Sequence, residues 1–439
     1  VSSYLWCHGC GRRFDSASTP AFGCPAGVEG DDVDHLLEPV IEGRRWPSSS
    51  EANPLLRYRG LTLAATLIDD ARLVGIIDEL DAAVARVDGH GFRITPWRMA
   101  DRVGEPGGAA EPGGGFWFKD ETDNVGGSHK GRHLAGVMVY LRVLEALGRL
   151  ERRPLAIASC GNAALAAAVV ARAADWPVQV FVPTDAEAAV LDKLAKLGAD
   201  VHACPRDPAV PGDPAVHAFR RALAAGALPF SVQGDVCGIS VEGGRTIGWE
   251  LADQGPLPDV LYVQVGGGAL LSAVWQGLRD ARDLGRIDRL PRICSVQTEG
   301  AWPLRRAWRR LQGDGGAGGA GGAGGTAGAA GAAARLAEAA RHRSHYMWPW
   351  EEPPHSIAHG ILDDETYDWW ACCQAMAETG GDAIVVDEDT LRRANALARG
   401  ATGLSVSFTG SAGLAGMLAA PPVAGETAGV LLTGVDRGG

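Results

Sequence analysis

The chain has 439 residues, 46% of them hydrophobic and 21% charged, with a formal net charge of −12. That is a globular composition without a basic excess, so a protein held on nucleic acid by phosphate contacts is excluded. The sequence holds no uninterrupted apolar run of about 18 residues, so no helical membrane span is expected.

Residues 1–11 lack the charged-then-apolar layout of a secretory leader, so the expected compartment is the cytoplasm, where nine cysteines should be reduced. The first 50 residues read as a small Cys-rich, ribbon-like module with its linker. Cys7 and Cys10 form a C-x-x-C knuckle, and Cys24 follows in FGCPAG. Two close thiolates supply two corners of a zinc tetrahedron. The second knuckle runs Cys24-Pro25-Ala26-Gly27, so the fourth ligand is missing there; His8 or His35 could substitute, but neither has the expected spacing. A zinc site on Cys7, Cys10 and Cys24 and a metal-free module of the same kind both remain open.

Residues 45–60 look like a linker, and helical spacing begins at Leu61. The Gly/Pro-rich stretch 104–115 is a loop, FWFKDE (116–121) a strand, and 131–147 a helix. From Pro154 strands alternate with helices: 155–159, 178–182, 199–204, then 260–265, 293–299 and 429–434. Such units imply α/β architecture with parallel sheets flanked by helices, in two lobes. The expected division is a large lobe from 51–140 and 240–439, and a small lobe from 141–239. Within 313–334, eleven of 22 residues are glycine and most others alanine, which leaves too little side chain for a core. A mobile surface insertion is expected there.

Four segments carry chemistry. In DNVGGSHKGRH (123–133), Lys130 opens a helix, where the dipole and desolvation both favour a neutral, nucleophilic amine over an ordinary solvated lysine. The sequence has only three other lysines. Lys193 and Lys196 lie on an amphipathic helix, and an ion pair would explain Lys119 beside Asp120 and Glu121. In VQVGGGALLSAVWQGL (263–278), backbone N–H groups of a glycine-rich turn make a phosphate cradle. Leu271 stands where a dinucleotide fingerprint needs its third glycine, so the loop suits a single phosphate. In IASCGNAALAAA (157–168), Ser159, Cys160, Gly161 and Asn162 form a polar turn ahead of a helix, able to receive a carboxylate or simply to cap. Thr409-Gly410-Ser411 precedes a helix of small residues, where a hydroxyl caps the helix or meets a ring nitrogen.

These segments, in this order, resemble the fold-type II pyridoxal-phosphate enzymes of the tryptophan-synthase β superfamily. ITPW (94–97), FWFKDE, SVEGGRTIGWEL (240–251) and HSIAHGIL (355–362) extend the resemblance from about residue 57 to 437. It implies that Lys130 holds pyridoxal phosphate as a Schiff base and shuttles the α-proton. It implies His129 beside the phosphate, and Gly266, Gly267, Gly268, Ala269 and Leu270 around it. Asn162 would bond the cofactor 3-hydroxyl, Thr409 would face the pyridine nitrogen, and Ser159, Cys160 and Gly161 would receive the substrate carboxylate.

Within the superfamily the N-terminal module is most similar to threonine-synthase-like proteins. GGSHKGRH departs from their usual TGSFKDRG, and His359 stands where many dehydratases have Asp. The Trp-rich, acidic segment 347–370 is expected near the substrate. For a phosphorylated substrate the cations nominated are Arg132 and His133. The resemblance implies a lyase or synthase working by elimination or replacement at the β or γ carbon of an amino acid, and a homodimer. The alternatives are a threonine- or serine-dehydratase-type ammonia-lyase and a β-replacement synthase of the cysteine-synthase or tryptophan-synthase β kind. A protein that keeps the fold without turnover is the remaining one.

Overall fold

A computed structural model describes residues 2–28, 30–100, 115–207, 210, 212–313 and 326–437. The loop expected over 104–115 falls outside them except for Gly115.

The N-terminal module is a three-stranded antiparallel sheet, Arg13–Asp15, Ser2–Cys7 and Leu37–Glu42 in spatial order. Its register pairs Cys7 with Leu37 and Tyr4 with Val40. The following segment is not a free linker. Arg44 reaches Asp280 at 2.8 Å and Trp46 donates to Asp253 at 3.0 Å. The chain then turns into the short helix Pro54–Arg57, capped by Asn53.

Two further sheets carry the α/β pattern. The four-stranded sheet is wholly parallel, in the order Asp200–Cys204, Val178–Pro183, Leu155–Ala158, Leu228–Pro229. The six-stranded sheet runs Ala383–Val386, Arg292–Thr298, Val260–Gln264, Ala428–Leu432, Phe116–Asp120, Trp97–Ala100. Only its edge strand Trp97–Ala100 is antiparallel. The central strands Val260–Gln264 and Ala428–Leu432 are buried at every residue. That is the expected reading of strands covered on both faces.

The helix Lys130–Ala146 links the two halves. Twelve of its residues are buried, so it is apolar nearly all round. It packs with the helix Asn162–Ala173 and with Ser240–Gln254, where Gly136 and Gly243 let the backbones meet. The lobe division expected at 140/141 therefore falls inside one continuous helix. The low-complexity stretch also divides. Residues 314–325 lie outside the described set, whereas Thr326–Ala339 is a helix with Ala332, Leu336 and Ala339 buried. Alanine dominates this half, and alanine is the best helix former.

An ion cluster with no solvent exposure anchors the helix. Lys119 Nζ donates to Glu250 at 2.5 Å, to Thr95 O at 2.7 Å and to Gln254 Oε1 at 2.7 Å. Arg132 bonds Glu121 through Nε at 2.8 Å, Glu250 through Nη1 at 2.5 Å and Thr246 Oγ1 at 3.0 Å. ITPW, FWFKDE and SVEGGRTIGWEL thus meet in one structural knot. The lysine is paired with Glu250 across the fold, not with its sequence neighbour Asp120.

Candidate active site

The segment before Lys130, the glycine loop and the Ser159–Asn162 turn each follow the C-terminal end of a strand, where ligand sites in open α/β sheets lie. Gly126 and Gly127, both with φ near +70°, turn the chain into the lysine helix. A side chain at Gly126 would strike the backbone of Ala166. His129 N–H then bonds Thr433 O at 3.2 Å, pinning the start of the helix to the end of the strand Ala428–Leu432.

Lys130, mostly buried, makes no hydrogen bond or ion pair among the described residues. Desolvation lowers its pKa, against the opposing pull of Asp363 and Asp368. His129 and His133 are neutral, both depressed chiefly by burial, His133 to about 3. His133 Nδ1 bonds Ser240 O at 2.9 Å and His129 Nδ1 bonds Thr433 O at 3.3 Å, so both place their proton on Nδ1. Their Nε2 atoms, and Ser128 Oγ, are buried without a partner.

The triglycine loop links Val260–Gln264 to the helix Ala269–Asp283, with Gly268 at φ +96°. The segment expected near the substrate lies on it. Thr366 Oγ1 donates to Gly266 O at 2.9 Å, Asp368 N to Gly267 O at 2.9 Å, and Cys372 Sγ to Gly268 O at 3.5 Å. Burial raises the pKa of the Asp363 carboxyl to about 6. A Cβ at Gly266 would collide with that carboxyl, so Asp363 lies directly against the loop. Ala269 and Leu270 begin the helix behind it, both buried.

Ser159, Cys160 and Gly161 form the turn after Leu155–Ala158. Gly161 is the N-cap of Asn162–Ala173 and no side chain caps it, so the simple capping role proposed for Ser159 or Asn162 is not what the structure shows. Cys160 is exposed, and its thiol is raised to about 11 by burial of the sulfur and by Asp213, Asp363 and Asp185. Asn162 Oδ1 accepts from Arg437 Nη2 at 3.0 Å, and the same guanidinium bonds Gly126 O at 2.5 Å. Arg437 was not read as a site residue from the sequence. It ties the asparagine turn to the lysine turn and leaves the Asn162 amide nitrogen facing Gly434.

Thr409 lies at the start of Phe408–Ala419, whose cap is Ser407. Its hydroxyl accepts from Gly360 N at 2.9 Å. The sequence reading missed a second hydroxyl, that of buried Thr433, which accepts from Gln264 Nε2 at 2.7 Å. Its signal was LLTG at the end of an apolar strand. Arg132 is not available to substrate. Residues 130 and 132 lie about 200° apart around a helix, so Arg132 points into the ion cluster and away from the cleft. His359 is exposed.

Cys7, Cys10 and Cys24 come together in the N-terminal module, and His35 joins them.

Residues 91–434 match the family model described as pyridoxal-phosphate dependent enzyme. The residues fit that cofactor: among the described residues Lys130 has no hydrogen-bond partner, His129, His133 and Ser128 carry unpartnered buried polar atoms, and Asp363 lies against the glycine loop and acts on Lys130. The chain belongs to this family. It is 28% identical over 329 residues to a threonine synthase of Methanosarcina acetivorans, covering 74% of this chain and 68% of that one. A threonine synthase of Mycobacterium bovis is 32% identical over 190 residues, 43% of this chain and 49% of that one. Among solved structures, serine racemase from Dictyostelium discoideum gives a TM-score of 0.56 at 18% identity, covering 82% of this chain and 98% of that chain. The threonine deaminase isoform 2 of Solanum lycopersicum gives 0.55 at 17%, covering 84% and 91%. These likenesses show the fold.

Proposed function

We propose that this pyridoxal-phosphate enzyme is a lyase or synthase that eliminates or replaces a group at the β or γ carbon of an amino acid, with Lys130 as its base. The observation that carries the reading is the unpaired Lys130 amine in a cleft that also presents a phosphate cradle. Bound there, pyridoxal phosphate supplies a sink for negative charge at the substrate α-carbon.

This chain's residues do the rest. Lys130, its pKa lowered by desolvation, would hold the cofactor between turnovers and would take the α-proton on Nζ when substrate is bound. The N–H groups of 266–270 would hold the phosphate. The uncapped helix start at 159–161 receives the substrate carboxylate. Asn162, held by Arg437, offers its amide N–H to the cofactor's 3-hydroxyl oxygen. A hydroxyl from Thr409 or Thr433 meets the ring nitrogen without giving it a full proton.

The threonine synthases among its relatives support a threonine-synthase-like reaction. A second reading, an ammonia-lyase of the dehydratase type, is favoured by one observation. Arg132 is closed in the ion cluster and His133 is neutral, so neither nominated cation serves a phosphorylated side chain, while the charges of Asp213, Asp363 and Asp185 help to raise the Cys160 thiol. Product analysis with amino acids bearing β or γ leaving groups separates the readings. Free ammonia with a 2-oxo acid marks the lyase, and a new amino acid marks the synthase. No product from any of them, in protein carrying the cofactor, would overturn both.

A further inference from the structure

We infer that the N-terminal module is a Cys3His zinc site, with His35 as the fourth ligand, and that it holds the segment covering the triglycine loop. The donor atoms of Cys7, Cys10, Cys24 and His35 all lie within 4.8 Å of one another. Tetrahedral zinc with Zn–S of about 2.3 Å and Zn–N of about 2.0–2.1 Å requires edges of about 3.8 Å between sulfurs and about 3.6 Å from sulfur to nitrogen. Cys10 Sγ and Cys24 Sγ are 3.8 Å apart, and Cys7 Sγ and His35 Nδ1 are 3.4 Å apart. A disulfide, at about 2.05 Å, is ruled out by the first of these distances.

The surroundings are those of a metal-binding histidine. His35 Nε2 bonds Asp31 Oδ2 at 3.0 Å, which places the ring proton on Nε2 and leaves Nδ1 as a lone pair toward the sulfurs. A carboxylate behind the imidazole is the usual outer-shell partner of a zinc ligand. Both knuckles are tight turns: Gly11 N bonds Cys7 O at 2.9 Å and Gly27 N bonds Cys24 O at 3.0 Å. On binding, three thiols release their protons, and the site carries three thiolates, one neutral imidazole and one divalent cation.

The ligand loops also touch the catalytic half. His8, between two ligands, packs at a tilt against Trp370 with ring centres 4.4 Å apart, and its Nε2 meets Glu38 at 2.7 Å. Glu38 in turn receives Arg245 at 2.9 Å and Arg279 at 3.1 Å. Asp34, next to His35, bonds Ala340 O through its N–H at 2.7 Å and pairs with Arg343. Trp370 belongs to the helix Trp369–Thr379, from which Cys372 reaches the triglycine loop. Metal in the module therefore fixes the cover of the phosphate cradle.

The test begins with elemental analysis of the purified full chain, expected to give one zinc per chain. Replacing that zinc with Co²⁺ should give the visible bands of a tetrahedral site and a thiolate-to-cobalt charge-transfer band in the near ultraviolet. Both should vanish in His35→Ala and in Cys10→Ser. Chelation of the wild-type protein should lower its melting temperature and expose three more thiols to a thiol reagent. Retention of the far-ultraviolet circular dichroism spectrum would show that a variant still folds. A metal-free protein whose Co²⁺ titration yields no charge-transfer band would overturn the proposal, as would a mass loss of two hydrogens locating a disulfide in the module. None of these readouts depends on pyridoxal phosphate, so failure here leaves the catalytic reading standing.

Discussion

Lys119 and Lys130 sit eleven residues apart, both withdrawn from solvent and both with pKa values lowered first by desolvation. They differ in what surrounds the amine. Lys119 spends its three N–H groups on Glu250, Thr95 and Gln254. Lys130 has no such partner among the described residues and faces a cleft edged by glycines. Burial alone does not make an amine reactive. A closed shell of acceptors turns a buried lysine into a strut, and an open one leaves a lone pair that can attack a carbonyl. The same contrast separates Arg132, locked among carboxylates, from Arg437, which bridges two turns of the site.

Substitutions should break this contrast in opposite senses. Lys130→Ala should cost about 10³-fold or more in turnover, with the melting temperature nearly unchanged. Steady-state kinetics beside calorimetry checks both halves. Lys119→Met should do the reverse, costing about 3–5 kcal/mol of stability because part of Glu250's charge is left buried, while the folded fraction still binds cofactor. Denaturant titration with a cofactor absorbance readout measures this.

Next in size is a carboxyl at the edge of the knot. Burial raises Glu242 to about 7, and among the described residues its carboxylate accepts only the Leu63 N–H. A folded-state pKa above the unfolded value means the folded protein binds more protons. Its contribution to stability is full below about pH 4.3 and is lost as pH rises through 7. Glu242→Gln should therefore match wild type near pH 4 and exceed it by up to about 3 kcal/mol at pH 8. A pH series of unfolding curves decides it, and equal curves at pH 8 would count against the buried carboxylate. Smaller still, Arg437→Met should weaken cofactor binding about tenfold by freeing Asn162, read by absorbance titration.

What the sequence made legible follows from local pattern. The apolar runs at 155–159, 178–182 and 260–265 are strands because each is short and bounded by turn residues, and the last two are rich in valine. The edge strand Trp97–Ala100 was missed because its two middle residues are exposed and no alternation marks it. Lys130 and the glycine loop were legible because their chemistry is carried by contiguous residues. His35 was legible only as one of two substitute ligands, beside His8, and its approach to Cys7 was not. It comes there through the antiparallel register that pairs Cys7 with Leu37, a long-range fact that no spacing rule contains. Arg132 was misplaced for the opposite reason: closeness in sequence suggested closeness in the cleft, and helical phase sends it the other way.

The central claim is that Lys130, and not Lys119, is the amine that carries the cofactor. Borohydride reduction of the cofactor-loaded protein followed by peptide mapping tests it directly. The account requires a yellow protein whose reduced pyridoxyl group maps to Lys130 alone. Label on Lys119, or a protein that stays colourless with added pyridoxal phosphate, would contradict it.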